Sequence, residues 1–307
     1  MNKINSLDSL ISRFQQQKPI RASSLVITLY GDTIEPHGGT VWLGSLIKLL
    51  EPMGINERLM RTTIFRLTQD GWLTSDKVGR KSYYSLTGSG RRKFEQAFRR
   101  VYSTNQTVWD GSWCLIMTQQ LSADERKQLL DDLNWQGFGV LTGQLIGSPN
   151  TNLSDVNTIL ASSGLQNKVI VFKTERQEEL AGRQIRLLVK DCWELDKLGA
   201  HYQEFINLFR PVWQELYEKD HLDPESSFLT RTLLIHEYRK LLLRDPQLPE
   251  ELLPGDWEGR AARQLCRNIY RKVTPVAEQW LEKNLESADG PLPEASQSFY
   301  QRFGGLN

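Results

Sequence analysis

The stretch NERLMRTTIFRLTQDGWLTSDKVGRKSYYSLT, residues 56–87, decides the fold of the N-terminal third. Asn56 is a preferred N-cap residue and Gly71 a preferred stop, so the spacing predicts a helix between them. On a helical wheel Leu59, Met60, Thr63, Ile64 and Leu67 share one side. Arg58, Arg61, Thr62, Phe65 and Gln69 share the other, with Arg66 on its margin. A helix needs one of these faces for its core. The second offers guanidiniums, which can bond phosphate or the O6 and N7 of guanine in a major groove. An aromatic there, Phe65, either touches a thymine methyl or packs against a neighbouring helix. Two short β-rich runs follow, joined by Gly79-Arg80-Lys81. They read as a hairpin with a basic tip, placed to reach phosphates or the minor groove beside the helix.

Upstream, SSLVITLYGDTI is apolar at Leu25, Val26 and Leu29 and stops at the loop EPHGG. WLGSLIKLLEPMGI repeats apolar positions at Leu43, Leu46, Ile47 and Leu50 and is ended by Pro52 and Gly54. The order helix, helix, basic helix, hairpin is that of a winged helix-turn-helix over residues 1–105. A single arginine on a solvated face is commonly only solvated; the order of elements carries the argument. The stretch TGSGRRKFEQAFRRVY reads as a helix leading out. Its Arg91, Arg92, Lys93, Arg99 and Arg100 either extend the basic surface or form a plain solvated face.

The charge balance points the same way. Residues 1–102 carry 16 Lys and Arg against 8 Asp and Glu, whereas the rest carry 22 against 29. The net +1 of the chain therefore hides a basic third where an anion such as the DNA backbone would dock. No window approaches the ~18 apolar residues of a membrane span. The start, MNKINSLDSLISRFQQQKPI, reads as a short amphipathic helix, not a secretory signal, so a cytoplasmic protein is expected. Cys114, Cys192 and Cys266 are scattered through apolar stretches and fit reduced thiols better than disulfides or zinc. With four isolated histidines, no metal site and no cofactor are expected.

From residue 108 the pattern changes. A strand at WCLIMTQQ, a helix capped by Ser122 and Glu125, strands around Gly143, a helix at LSDVNTILASSG and a strand at KVIVFKTE give β-α-β-β-α-β. That order suggests a ferredoxin-like α+β domain within 106–182. The phosphate-loop-like Gly137-Phe138-Gly139 with Gly143 has the wrong spacing and reads as turn geometry. Residues 183–307 read as a helical domain, with Pro211 expected to kink one helix and a loosely packed tail after Ser287. His236, Arg239 and Lys240 interrupt an apolar helix. A buried cation of this kind commonly pairs with a carboxylate, for example Glu237 or Asp245. Alternatively Arg231, His236 and Arg239 line a ligand pocket for an anion, with Trp213 or Trp257 against its flat part. The fold class is thus multidomain, mainly α with an α+β centre.

The chain resembles the phenylacetic-acid degradation operon repressor family, the PaaX-like proteins. The strings that carry the resemblance are TLYGD (28–32), GGTVWLGSLIKLL (38–50), MRTTIFRLTQDGWL (60–73), GRKSYYSLT (79–87) and LLIHEYRKLLLRDPQLPEELLPGDWEG (233–259). The resemblance runs over essentially the whole chain. It implies a homodimeric transcriptional repressor whose central domain is similar to the CRISPR protein Cas2. It also implies an effector, phenylacetyl-coenzyme A, whose binding releases the DNA operator. Nuclease chemistry does not follow, because WCLIMTQQ carries no carboxylate for a metal and Asp110 precedes it.

On this reading Arg58, Arg61 and Thr62 contact base edges while Arg66, Arg80 and Lys81 hold phosphates. Arg231, His236, Arg239 and Trp257 are the ligand-binding candidates. Two rivals are weighed. A thioester-cleaving enzyme lacks a nucleophile elbow and a suitably partnered histidine, so no catalytic residues are assigned. An interaction module binding protein or RNA sits poorly with the arginine face and the absence of an aromatic stacking platform. A different aryl-acyl-coenzyme A as effector also stays open.

Overall fold

The structure, a computed structural model, describes residues 3–102, 108–149, 151–175, 182–287 and 290–306. In chain order the N-terminal third holds α1 (Ser6–Gln15), α2 (Ala22–Leu29), β1 (Thr40–Trp42), α3 (Leu43–Leu50), α4 (Glu57–Gln69), β2 (Leu73–Val78), β3 (Lys81–Leu86) and α5 (Gly88–Tyr102). The middle holds β4 (Cys114–Met117), α6 (Ala123–Leu133), β5 (Gly139–Thr142), β6 (Leu145–Ser148), α7 (Leu153–Ser162), β7 (Ile170–Lys173) and α8 (Gly182–Cys192). Three long helices follow, α9 (Leu195–Tyr217), α10 (Pro224–Leu242) and α11 (Glu258–Asn284). A small hairpin closes the chain, β8 (Glu286–Ser287) with β9 (Gly290–Pro291), followed by the short α12 (Gln297–Tyr300).

Packing groups these elements into two compact units. One joins Met1–Thr104 with Glu204–Lys240 and Arg260–Asn307; the other joins Asn105–Gln203 with Leu241–Gly259. The expected segments 1–105, 106–182 and 183–307 are runs of sequence, whereas the units are sets of contacts, and α9, α10 and α11 each cross a unit border.

In the first unit α4 forms as its sequence dictates. The Asn56 side chain accepts a hydrogen bond from Leu59 N at 2.9 Å, and Gly71 leaves the helix with φ of 70° while Trp72 N donates to Leu67 O at 2.8 Å. Met60, Thr63, Ile64 and Leu67 are buried and Leu59 is half-buried, so the apolar face packs on α2 and α3. The sheet order is β1-β3-β2, all antiparallel. Val78 pairs with Lys81, which leaves Gly79 and Arg80 as a two-residue turn, with Gly79 at φ 61°. Lys81 thus belongs to the strand, one residue inside the expected connection.

Two features of this unit come from distant parts of the chain. The N-terminus of α1 is capped by the Glu215 carboxylate on α9, which accepts from Asn5 N at 2.6 Å, Ser6 N at 2.9 Å and Ser6 Oγ at 2.8 Å. Burial opposes the charge, but Lys219 one turn on, together with the Ser6 and Asn5 amides and the Ser6 hydroxyl, holds Glu215 down at about 2. The tail after Ser287 corrects the expectation of loose packing. Phe299 and Phe303 are buried, and Arg302 donates to Asp32 O at 2.8 Å and Gly31 O at 2.9 Å. Its Gly and Pro content suggested looseness, but two aromatic anchors and one buried cation outweigh composition. Pro211 stands inside the continuous α9, and Pro275 likewise inside α11.

In the second unit the strands lie in the order β5-β6-β4-β7, each neighbour antiparallel. Ile116 stands opposite Ile146 and Val171, and α6 and α7 cover that face through Leu129, Leu133, Val156 and Leu160. The capping box forms as read: Glu125 N donates to Ser122 Oγ at 3.2 Å and Ser122 N to Glu125 Oε2 at 3.0 Å. The Gly137-Phe138-Gly139 string is turn geometry. Gly137 has φ of 73°, and a Cβ on Gly139 would stand 2.7 Å from the Trp193 ring. Asp110 is hydrogen-bonded to Ser112 ahead of β4. Among the described residues no helix is long and apolar enough to cross a membrane.

Candidate nucleic-acid interface

The outward side of α4 is built from Arg58, Arg61, Thr62, Phe65, Arg66 and Gln69, every one exposed. The core face demands four buried positions on a 3.6-residue period, and this set is what that period leaves over. Arg61 is bridged to Glu57 one turn earlier at 2.7 Å, with both side chains largely in water. Such a pair contributes only ~0.3–0.5 kcal/mol, so a stronger anion can replace the carboxylate. The Thr62 hydroxyl donates back to Arg58 O at 3.0 Å, which leaves its lone pairs outward. Among the described residues Arg58 and Arg66 have no such bridge.

Beside this helix the β2–β3 hairpin presents Lys77 and Arg80, both exposed. Lys81 behaves differently. Its ammonium donates to both oxygens of Glu286 on β8, at 2.6 and 2.8 Å, and lies 4.4 Å from the Trp42 ring centre. Tyr83 donates to the same carboxylate at 3.1 Å, and Glu286 N donates to Ser45 Oγ at 3.1 Å. The hydrogen bond from Lys81 holds the Glu286 carboxyl below its ordinary range, and the same bond raises Lys81. Sequence reading found the basic tip but not this clamp, because Glu286 lies 205 residues further along. On α5, Arg91 pairs with Glu35 at 3.0 Å and Arg92 is exposed, while the Lys93 and Arg99 side chains lie outside the described residues.

The candidates on α10 occupy different surroundings. Arg231 is 0% exposed, with Nε 2.9 Å from Asp32 Oδ2, Nη1 2.5 Å from Glu278 Oε1, and Nη2 donating to Thr33 Oγ1 at 3.1 Å. Asp32, itself 1% exposed, also accepts from Tyr270 at 2.9 Å, Tyr102 at 2.5 Å and Arg302 at 3.3 Å. Glu278 is bridged by His37 at 2.8 Å, and Arg231 and His37 hold it at about 2 against the pull of burial. The carboxylate partners of Arg231 are thus Asp32 and Glu278, while of the cations expected to pair with Glu237 or Asp245 it is Lys240 that does so. Glu237 takes Lys240 at 2.9 Å, and Asp245 receives the Tyr202 hydroxyl. Asp32 ends the TLYGD string, on a π-type turn of five buried residues that follows α2.

His236 is buried against the edge of Phe14, with Nδ1 3.4 Å from Thr28 Oγ1. Burial, with Lys240, Arg239 and Arg21 around it, holds its imidazole well below the ordinary histidine range, so it is neutral. Arg239 is buried and donates to Ser24 O at 3.1 Å and Ser24 Oγ at 2.8 Å; burial lowers it to about 10, and it stays charged. Arg231, His236 and Arg239 therefore share one helix within the first unit. Trp257 belongs to the second, where its ring stands edge-on to Tyr202 at 5.7 Å. Among the described residues no group of three His, Cys, Asp or Glu could hold a metal.

Three family models match successive segments of the chain. They are the PaaX-like protein over residues 21–90, the PaaX protein central Cas2-like domain over 106–185 and the PaaX-like protein C-terminal domain over 193–283. The chain is 42% identical over 309 residues to the transcriptional repressor PaaX of Escherichia coli (strain K12), covering 99% of this chain and 96% of that protein. A solved structure of an uncharacterized protein from Mycobacterium tuberculosis aligns with a TM-score of 0.49 at 21% identity, covering 77% of this chain and 89% of that one. With all three models matched in order and the identity sustained end to end, this chain belongs to the PaaX-like protein family.

Proposed function

We propose that this protein is a DNA-binding transcriptional repressor of phenylacetate catabolic genes, with α2, α3, α4 and the β2–β3 hairpin as a winged helix-turn-helix. The observation that carries the reading is the outward face of α4, where Arg58, Arg61, Thr62 and Arg66 stand exposed beside an exposed Arg80. Its relative's name, transcriptional repressor, supports the same reading and speaks against an enzyme. Arg58, Arg61 and Thr62 contact base edges; Arg66 and Arg80 hold phosphates. Lys81 joins them only by leaving or sharing Glu286, so its net contribution is the smaller.

The protein acts as a homodimer on double-stranded DNA in the cytoplasm. Its two α4 helices enter successive major grooves ~34–36 Å apart. The second unit, with its strand order β5-β6-β4-β7, is read as ferredoxin-like. Phenylacetyl-coenzyme A is the effector, and a tenfold release needs ~1.4 kcal/mol of preference for the form that does not bind DNA. Of the ligand candidates, Arg239 is the buried cation whose hydrogen bonds go to Ser24 and not to a carboxylate, and it stands with His236 on the face an anion would use. Arg231 would contribute by shaping that helix, and Trp257 is a separate aromatic candidate in the second unit. No cofactor is required.

Fluorescence anisotropy on the DNA upstream of the protein's own operon, with and without phenylacetyl-coenzyme A, tests this. Selective binding abolished by the thioester but not by free phenylacetate is the expected result. Binding indifferent to the thioester would remove the effector and keep the repressor. Absence of selective binding would remove the repressor.

A further inference from the structure

Phe65 is 64% exposed, on a helix whose other large apolar side chains are turned inward. Its neighbours on the same face are Arg61 and Thr62 one turn before, Gln69 one turn after and Arg58 two turns before. An aromatic that served the core would be buried, as Met60, Ile64 and Leu67 are. Burying the ring against a ligand would gain free energy roughly in proportion to its area, so a ligand of this face can use it. The surroundings narrow that ligand. Three arginines flank the ring, and the carboxylate on this helix, Glu57, is already taken by Arg61. An apolar partner protein would bury those guanidiniums against it, whereas a polyanion satisfies them and the ring together.

We propose that Phe65 is a specificity-determining residue that reads the C5-methyl group of thymine in the major groove. The inference rests on the DNA-binding reading and deepens it. Arginines recognise the guanine edge and phosphates, and the thymine methyl is the apolar mark that the major groove displays. A ring between Arg61, Thr62 and Gln69 meets that mark in the same groove. Phe65 thereby adds thymine selectivity to a surface that charge alone would leave selective for guanine.

The test uses the full chain and a duplex enriched by it from a random-sequence pool. Each thymine of the duplex is replaced in turn by deoxyuridine, which removes one methyl group and nothing else. At one or two positions per half-site the substitution is expected to weaken the wild-type protein about fourfold, the worth of one buried methyl. The Phe65→Ala variant is expected to bind thymine and deoxyuridine equally at those positions, and Phe65→Leu to retain part of the difference. Both variants should melt at the wild-type temperature. If deoxyuridine costs the wild type and Phe65→Ala the same at every position, or if Phe65→Ala shifts the melting temperature or the oligomeric state, the ring serves packing and the proposal falls while DNA binding stands. If no duplex is enriched at all, the DNA-binding reading falls and takes this one with it.

Discussion

Replacing Arg231 by Met keeps most of the side-chain volume and removes one guanidinium from the centre of the first unit. Asp32 loses a partner at 2.9 Å and Glu278 one at 2.5 Å. Removing one member of a buried ion pair costs ~3–5 kcal/mol, because the remaining charge stays desolvated. Here the low end applies. Asp32 keeps Tyr102, Tyr270 and Arg302, and Glu278 keeps His37 and reaches some water. The expected loss is ~3 kcal/mol. With a urea slope near ~3 kcal/mol/M for a unit of this size, the midpoint should fall by ~1 M. The assay is urea unfolding followed by tryptophan fluorescence, read on the transition of the unit that contains Arg231, since the chain has two units and one global value is not defined. A cycle with Asp32→Asn isolates the pair: the double variant should be less destabilised than the sum by at least ~1 kcal/mol. A loss under ~1 kcal/mol, or strict additivity, would refute the argument that these charges depend on one another.

Three other outcomes follow from the same contacts. Arg80→Ala should weaken binding to all DNA sequences and lower the salt slope by ~1, whereas Lys81→Ala should change it by less, because Glu286 already neutralises that ammonium. Equal slopes for the two would show that the Glu286 clamp opens fully on DNA. Glu278 sits at about 2 in the folded chain against 4.5 for a free side chain, so its stabilisation is present above pH 4.5 and lost as pH falls toward 2. That is ~3 kcal/mol between the two limits. Urea midpoints measured down this range should decline in the wild type, with the decline blunted in Glu278→Gln. A fragment of residues 1–102 should not fold stably by circular dichroism, since it leaves Asp32 buried without Arg231 and Arg302.

What could be read from the sequence was whatever local periodicity records. The two faces of α4 follow from residues 56–71 alone, because burial on a helix repeats every 3.6 residues and Asn56 and Gly71 mark its ends. The β-α-β-β-α-β order of residues 114–173 was equally legible from strand runs and the Ser122 cap. Partner choice was not. Arg231 enters the sequence reading only as a ligand candidate, because its carboxylates lie 199 and 47 residues away and no period links them. The same holds for Lys81 with Glu286 and for the N-terminus of α1 with Glu215. The tail misled for a related reason: its Gly, Pro and Ser describe a backbone without regular structure, while Phe299, Arg302 and Phe303 decide whether it packs.

These long-range contacts tie the elements proposed to bind DNA to the C-terminal helices. The chain that leaves α2 passes through Asp32, and Asp32 is held by Arg231 of α10, Tyr270 of α11 and Arg302 of the tail. The hairpin is held at Lys81 by Glu286, just past α11. The helix that carries the arginine face is therefore part of one core with the C-terminal helices, not a head on a linker. Breaking the Asp32 cluster costs ~3–5 kcal/mol, more than twice the ~1.4 kcal/mol that a tenfold change in DNA affinity needs. An effector that acts on α10 has no need to open the cluster. Were such an effector to shift Arg231, the intact ion pair with Asp32 would pull on the turn after α2, and α4 packs on α2. On the proposed function, the stiffness that makes Arg231 costly to remove would be the property through which a modest binding preference reaches the exposed face of α4.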